Sequence, residues 1–229
     1  MAIMWLFLGA KDSVVILDLV KRAGVKYDAH YNVTTVDPPE LVQFIKREYP
    51  EVGWNMPKMS MWQLIEHKHF PPLRQQRYCC QYLKENGGDG RLVVTGVRWA
   101  ESSKRSKRRS VEQCLRGGSK VYINIIIDWL DEDVWKYIKD NKIKYCKLYN
   151  EGFKRLGCVM CPMSAAHMQK ESKRWPKIAN AYKRAINKAF TARAAAGKKN
   201  MFASGDELYE WWISGKGNKG DPDQGVLFE

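Results

Sequence analysis

The chain has 229 residues, with 39 Lys+Arg against 25 Asp+Glu and a formal net charge of +14. That length suits one domain, or one domain plus a small appendage, and buries a sizeable core without staples; 45% apolar and 28% charged residues read as a soluble globular chain and exclude wholesale disorder. No apolar run approaches the ~20 residues that cross a bilayer, and Met1–Leu8 lacks the basic flank and small-residue cleavage site of a signal peptide, so a cytoplasmic protein with no membrane partner is expected.

In chain order, Ile3–Leu8 reads as a buried parallel strand. Gly9-Ala10-Lys11-Asp12-Ser13 interrupts it, and a helix follows over Ser13–Ala23, stopped by Gly24. Tyr27–Val33 is a second strand. Asp37-Pro38-Pro39-Glu40 starts a helix, with Asp37 as cap, Pro38 first and Glu40 completing a capping box. Trp54 lies in a short strand. Met61–His67 and Leu73–Leu83 read as helices on either side of Pro71-Pro72, and Leu92–Val97 and Val121–Ile127 as strands. Asp131-Glu132-Asp133 opens a helix that ends on Lys136 and Lys139, in the order the helix dipole favours. Residues 167–197 form one or two basic helices, and Asp206–Ile213 a short one capped by Ser204 and Glu207. Ser214–Glu229 reads as a loose polar tail. Alternating strands and helices of this kind predict a three-layer α/β sandwich around a mainly parallel sheet. A basic helical extension follows, with a boundary expected between residues 1–165 and 166–229.

The charge is uneven. Residues 1–90 carry 11 basic and 10 acidic side chains, residues 91–200 carry 26 and 9, and residues 201–229 carry 2 and 6. Such an excess favours an anionic partner, with phosphates on a nucleotide or on a polymer as the leading anions. The 166–199 helices hold ten Lys+Arg against one Glu. They suit either a plain solvated face or a surface that tracks a polyphosphate backbone.

Three constellations bear chemistry. The Gly9–Ser13 turn joins a strand to a helix N-terminus, where backbone N–H groups and the helix dipole make an anion site, Lys11 adds charge and Ser13 a hydroxyl. The same residues also suit an ordinary strand-to-helix turn. Next, the strand ending at Gly96 presents Arg98 and the basic run Lys104–Arg109, and arginine grips phosphate or sulfate oxygens bidentately. Finally, Cys79-Cys80 and Cys158-Val159-Met160-Cys161 form two close pairs 78 positions apart. Four thiolates suit an iron–sulfur cluster or a structural zinc, and the residues by themselves leave both open. Cys114 and Cys146 have no close partner in sequence, and the four histidines read as surface or satisfied core residues.

Phe7–Ser13 resembles the Ser-Gly-Gly-Lys-Asp-Ser PP-loop of the phosphoadenosine phosphosulfate (PAPS) reductase family, in the adenine-nucleotide α-hydrolase-like superfamily. Leu8 and Ala10 depart from the pattern; Gly9, Lys11, Asp12 and Ser13 match it. Leu8 removes a hydroxyl, and Ala10 adds a methyl where glycine allows positive φ or close approach. Thr95-Gly96-Val97-Arg98-Trp99-Ala100-Glu101-Ser102 is similar to a second family motif, and Ile126–Trp135 to a third that is mainly structural. The paired cysteines resemble the [4Fe-4S] motif of the adenosine phosphosulfate-reducing branch. The resemblance covers roughly residues 5–165 and implies a Rossmann-like fold. It further implies an adenine-nucleotide site at Gly9, Lys11, Asp12, Ser13, Gly96, Arg98, Ser102 and Arg105, with ATP or a sulfonucleotide as ligand. The metal ligands it implies are Cys79, Cys80, Cys158 and Cys161, holding a [4Fe-4S] cluster, with zinc as the alternative. Family reductases also carry a nucleophilic cysteine in a C-terminal tail, and residues 162–229 contain no cysteine. Two enzyme readings follow: reduction of a sulfonucleotide with the help of a reductant protein, and ATP-dependent sulfur transfer from a sulfur-donor protein, with DNA or tRNA as the modified partner. A degenerate, non-catalytic binding module is the third reading.

Overall fold

The computed structural model describes residues 3–6, 9–85, 87–114 and 119–216. Its contacts divide the chain into two compact units, each assembled from several segments. The first holds residues 1–33, 39–56 and 86–157, and the second 34–38, 57–85 and 158–229.

The first unit is an α/β layer structure around one sheet. Its strands are β1 (Ile3–Leu6), β2 (Tyr27–Asn32), β3 (Gly53–Asn55), β4 (Leu92–Val94), β5 (Val111–Gln113) and β6 (Val121–Ile123), in the spatial order β3-β2-β1-β4-β6-β5. All pairings are parallel except β5 with β6. The order reverses at β1, whose neighbours β2 and β4 leave it in opposite directions. This reversal opens a crevice at the carboxyl ends of the strands. Helices α1 (Lys11–Arg22), α2 (Pro39–Glu48) and α5 (Asp131–Asp140) pack on the sheet. Their apolar faces, Val14–Leu17 and Val20, then Leu41, Phe44 and Ile45, then Val134 and Ile138, are buried, as 3.6-residue periodicity requires.

The second unit is helical. It comprises α3 (Met61–Lys68), α4 (Tyr78–Leu83), α6 (Met168–Arg174), α7 (Pro176–Ala195) and α8 (Gly205–Ile213). Tyr182 of α7 stands edge-on to Trp62 of α3, with centroids 5.0 Å apart, and lies 4.9 Å from Trp212 of α8. The Trp212 indole N–H donates to the Pro72 carbonyl at 2.8 Å, so its one polar atom is satisfied in the core. The basic helices therefore have a packed apolar face.

Several expected elements are shorter or shifted. The helix expected over Leu73–Leu83 begins only at Tyr78, because Arg74–Arg77 are exposed and offer no apolar face. Helix α2 starts at Pro39, and Asp37 accepts from the Thr34 N–H at 2.9 Å instead of capping it. The strand expected over Val121–Ile127 stops at Ile123, where the Asn124 side chain turns away to the Arg109 carbonyl and Glu112. The antiparallel edge strand β5 was hidden beside the charged run, with no apolar alternation to mark it. Glu207 accepts from the Ala203 N–H, one residue before the Ser204 cap. Phe7, Leu8 and most of the expected tail lie outside the described residues, and among the described ones no helix is long and apolar enough to cross a membrane.

Candidate functional site

The crevice beside β1 is built by two glycines. Gly9 has φ +67°, and a β-carbon there would stand 2.6 Å from Leu41 Cδ1 and 2.8 Å from Ile45 Cδ1. Glycine is therefore required twice over, for the left-handed turn and for the close approach of α2. Gly96 plays the matching part after β4, where a β-carbon would meet Asp12 Cβ at 3.0 Å and Ile16 Cδ1 at 3.1 Å. Its absence lets the end of β4 lie against the first turn of α1. Ala10, by contrast, has φ −76° and ψ 162°, extended backbone open to any residue, so the turn itself does not need glycine there.

This geometry brings Lys11 and Arg98 together around two carboxylates. Lys11 Nζ lies 2.8 Å from Asp131 Oδ1 and 3.6 Å from Asp12 Oδ2. Arg98 Nε donates to Asp12 Oδ1 at 2.7 Å, and Nη2 to Asp131 Oδ1 at 2.9 Å. Both cations are deeply buried, Lys11 at 5% and Arg98 at 3% exposure. Two positive and two negative groups balance. Burial alone would raise the Asp131 carboxyl, but Lys11 and then Arg98 outweigh it and hold it below its usual range. Burial likewise works against the Arg98 charge, and Asp12 more than compensates, so the guanidinium is held even more firmly protonated.

The loop's remaining polar groups are also engaged. The Lys11 backbone N–H, first of the α1 amides, donates to the Tyr149 hydroxyl at 2.9 Å. Ser13 Oγ donates to the Ala10 carbonyl at 2.8 Å. Ser102 is exposed and accepts from the Arg105 N–H at 3.3 Å. The Arg105 guanidinium pairs with Glu101, which also accepts from the Arg98 N–H at 2.9 Å. The structure thus gathers Gly9, Lys11, Asp12, Gly96 and Arg98 at one place, keeps Ser13 on its own loop, and turns Arg105 onto Glu101. Asp131 and Tyr149 complete the site without having been singled out: Asp131 reads in sequence as a dipole-pairing helix start, and nothing marks Tyr149.

All four paired cysteines belong to the second unit. Cys79 and Cys80 sit in the first turn of α4. The loop from Cys158 to Cys161 is pinned by three bonds: Val159 N–H to the Val36 carbonyl at 2.8 Å, Met160 N–H to Glu171 Oε2 at 2.5 Å, and Tyr182 OH to the Val159 carbonyl at 3.3 Å. Met160 takes the left-handed conformation, φ +57°, which the pinning sustains. The thiols sense one another. The Cys79 thiol hydrogen-bonds Cys80 and is pushed up by that bond and by burial, with Cys158 and Cys161 adding to it. Cys80 is pushed down to about 6, chiefly by the same bond, with Lys84 and Arg77 assisting against burial. Burial raises Cys158 against the pull of Lys84. The Lys84 ammonium is in turn raised by Cys158, then by Asp37, Cys161 and Cys80. Among the described residues no group of three or more His, Cys, Asp or Glu side chains is gathered as a metal site.

Comparison with known proteins bears on the first unit most. The chain is 28% identical over 190 residues to an uncharacterized protein of Methanocaldococcus jannaschii, covering 77% of this chain but 39% of that protein. It is 29% identical over 165 residues to the adenosine 5'-phosphosulfate reductase of Oceanobacillus iheyensis, covering 66% of this chain and 67% of the relative. The corresponding enzyme of Neisseria meningitidis is 29% identical over 183 residues, covering 72% and 75%. The crystal structure of PAPS reductase from Candida auris superposes with a TM-score of 0.51 at 20% identity, over 68% of this chain and 80% of that one, a likeness of fold. The chain thus spans from about two fifths to three quarters of the length of these curated relatives. The sequence model of the phosphoadenosine phosphosulfate reductase domain matches residues 2–164, and with most of its length so matched the chain belongs to the PAPS reductase family.

Proposed function

We propose that the first unit binds an adenine sulfonucleotide and that the protein is a reductase-type member of sulfur metabolism. The observation that carries this reading is the meeting of Lys11 and Arg98 at the strand-order reversal, where α/β sheets take their ligands. Ligands of the relatives named adenosine 5'-phosphosulfate reductase have the matching chemistry, a sulfonyl phosphate at the end of an adenine nucleotide. The anionic end would exchange places with the Asp131 carboxylate on Lys11 and Arg98, while Asp12 keeps Arg98 oriented. Reduction consumes two electrons: an external dithiol is oxidised to a disulfide, the sulfonyl group leaves as sulfite, and AMP is released.

Cys79, Cys80, Cys158 and Cys161 would hold a [4Fe-4S] cluster in the second unit. The donor set fits in number and in charge: Cys79 senses each of the other three thiols, and the Lys84 ammonium senses Cys158, Cys161 and Cys80 and would offset the negative charge of a thiolate-ligated cluster, whose binding would have to draw the thiols closer than they stand. When bound, the cluster supplies electrostatic or electron-handling capacity. Val36, Glu171 and Tyr182 hold the ligand loop.

A second reading has one observation in its favour. The loop's cations are already neutralised by Asp12 and Asp131, and its leading amide by Tyr149, as in a family member that has ceased to bind nucleotide. Calorimetric titration with adenosine phosphosulfate, PAPS and ATP separates the two. Saturable binding of a sulfonucleotide, lost in Lys11→Ala, supports the reductase reading; heat from none of the three supports the degenerate one. Anaerobic purification tests the cluster separately: a brown protein with about four irons per chain is expected, and a colourless protein with one zinc would sink it.

A further inference from the structure

A groove of about 980 Å3 in the first unit is lined by residues of α5, Asp131 among them, and by residues of the segment that follows it as far as Asn150. Five of its lining residues are lysines: Lys136, Lys139, Lys142, Lys144 and Lys147. All five are exposed, and among the described residues none of them is held in an ion pair. The carboxylates in the wall do little to balance them, since Asp131 is committed to Lys11 and Arg98 and, among the described residues, Glu132 alone remains in the lining. The helix dipole accounts for Lys139 and Lys142 at the carboxyl end of α5. It does not account for Lys136 one turn earlier, or for Lys144 and Lys147 beyond the helix.

The groove also has an ordered aromatic lining. Trp135 and Tyr145 are half-buried in it and meet edge to face, with centroids 5.3 Å apart. Tyr149 braces Trp135 from within at 5.1 Å. The Tyr145 hydroxyl donates to Asn150, and the Tyr49 hydroxyl donates to the Lys144 carbonyl at 2.9 Å. The wall is therefore held before any ligand arrives.

We propose that this groove is a binding site for single-stranded nucleic acid. Spaced cations beside aromatic rings are the arrangement that tracks a phosphate backbone while offering surfaces to bases. The volume exceeds what a lone phosphate needs. The cations are all lysine, which supplies compact point charges in place of the planar fork that grips carboxylate and phosphate alike. Point charges suit contact with a phosphate backbone without regard to base sequence, and the rings of Trp135 and Tyr145 beside them favour a nucleic acid, whose bases stack, over an acidic protein segment.

The test is fluorescence anisotropy of the full chain with a labelled oligothymidylate over a series of salt concentrations. Each contacted phosphate contributes about −0.7 to the slope of log affinity against log salt, so full engagement of the lysines gives about −3.5. Combined Lys139→Gln, Lys142→Gln and Lys144→Gln should flatten the slope by about 2 and weaken binding on the order of tenfold or more at low salt. Removing the same charge elsewhere, by Lys173→Gln, Lys177→Gln and Arg184→Gln, should leave the slope unchanged. If the triple variant fails to fold, each single substitution should still flatten the slope by about 0.7. Equal loss from the two triple variants, or displacement of the oligonucleotide by polyglutamate of matched charge, would overturn the proposal; the latter would mark the groove as an acidic-protein surface.

Discussion

Two groups of cations in the first unit behave oppositely. Lys11 and Arg98 are buried and matched charge for charge by Asp12 and Asp131, whereas the five groove lysines are exposed and, among the described residues, unmatched. The same side-chain chemistry therefore has different consequences. A buried pair is part of the fold, because removing one member strands the other away from water. An exposed lysine costs nothing to remove and retains its charge for a partner. Net charge cannot distinguish these groups; the position of the carboxylates does.

The sharpest way to break the comparison is Arg98→Ala. It leaves the half-buried Asp12 without its main partner and should cost about 3 kcal/mol, the low end for a broken buried pair because Asp131 reaches solvent. A melting temperature lower by about 6–12 °C is expected in calorimetry. Tyr149→Phe removes only the hydroxyl that accepts from the Lys11 N–H. It should cost about 1 kcal/mol, or about 2–4 °C. Acid provides a milder probe. The folded-state pKa of Asp131 is depressed, so its contribution is present above the unfolded value of about 3.9 and is lost as pH falls through the lower folded value. The melting-temperature gap between the wild type and Asp131→Asn should therefore narrow as thermal scans are taken from about pH 5 to below about pH 3. The triple lysine variant of the groove should shift stability by no more than about 0.5 kcal/mol, a difference near the resolution of denaturant titration.

Much of this site is legible in the chain itself. Gly9, Lys11 and Asp12 follow a strand and open a helix, and Gly96 and Arg98 end another strand. The glycine positions are dictated by close approaches that leave no room for a β-carbon. What escaped notice depends on long-range placement. Asp131 shows locally as a favourable helix start, and only the sheet order brings it to Lys11, 120 positions away. Tyr149 belongs to a short turn with no pattern of its own. The apolar spacing of α7 was readable, but its packing on α3 through Tyr182 and Trp62 needed the chain's return to residues 57–85. Turns also ended strands earlier than apolar runs suggested: Ile126 and Ile127 are buried without being in the sheet, so hydrophobicity alone overstated β6.

The central claim, that the two cation groups serve two different anions, is tested most directly by a crossed titration. Adenosine phosphosulfate and oligothymidylate are each titrated into the wild type, Lys11→Ala and the triple lysine variant of the groove. The account predicts that Lys11→Ala loses the sulfonucleotide and keeps the oligonucleotide, while the triple variant does the reverse. Loss of both ligands in either variant would contradict it.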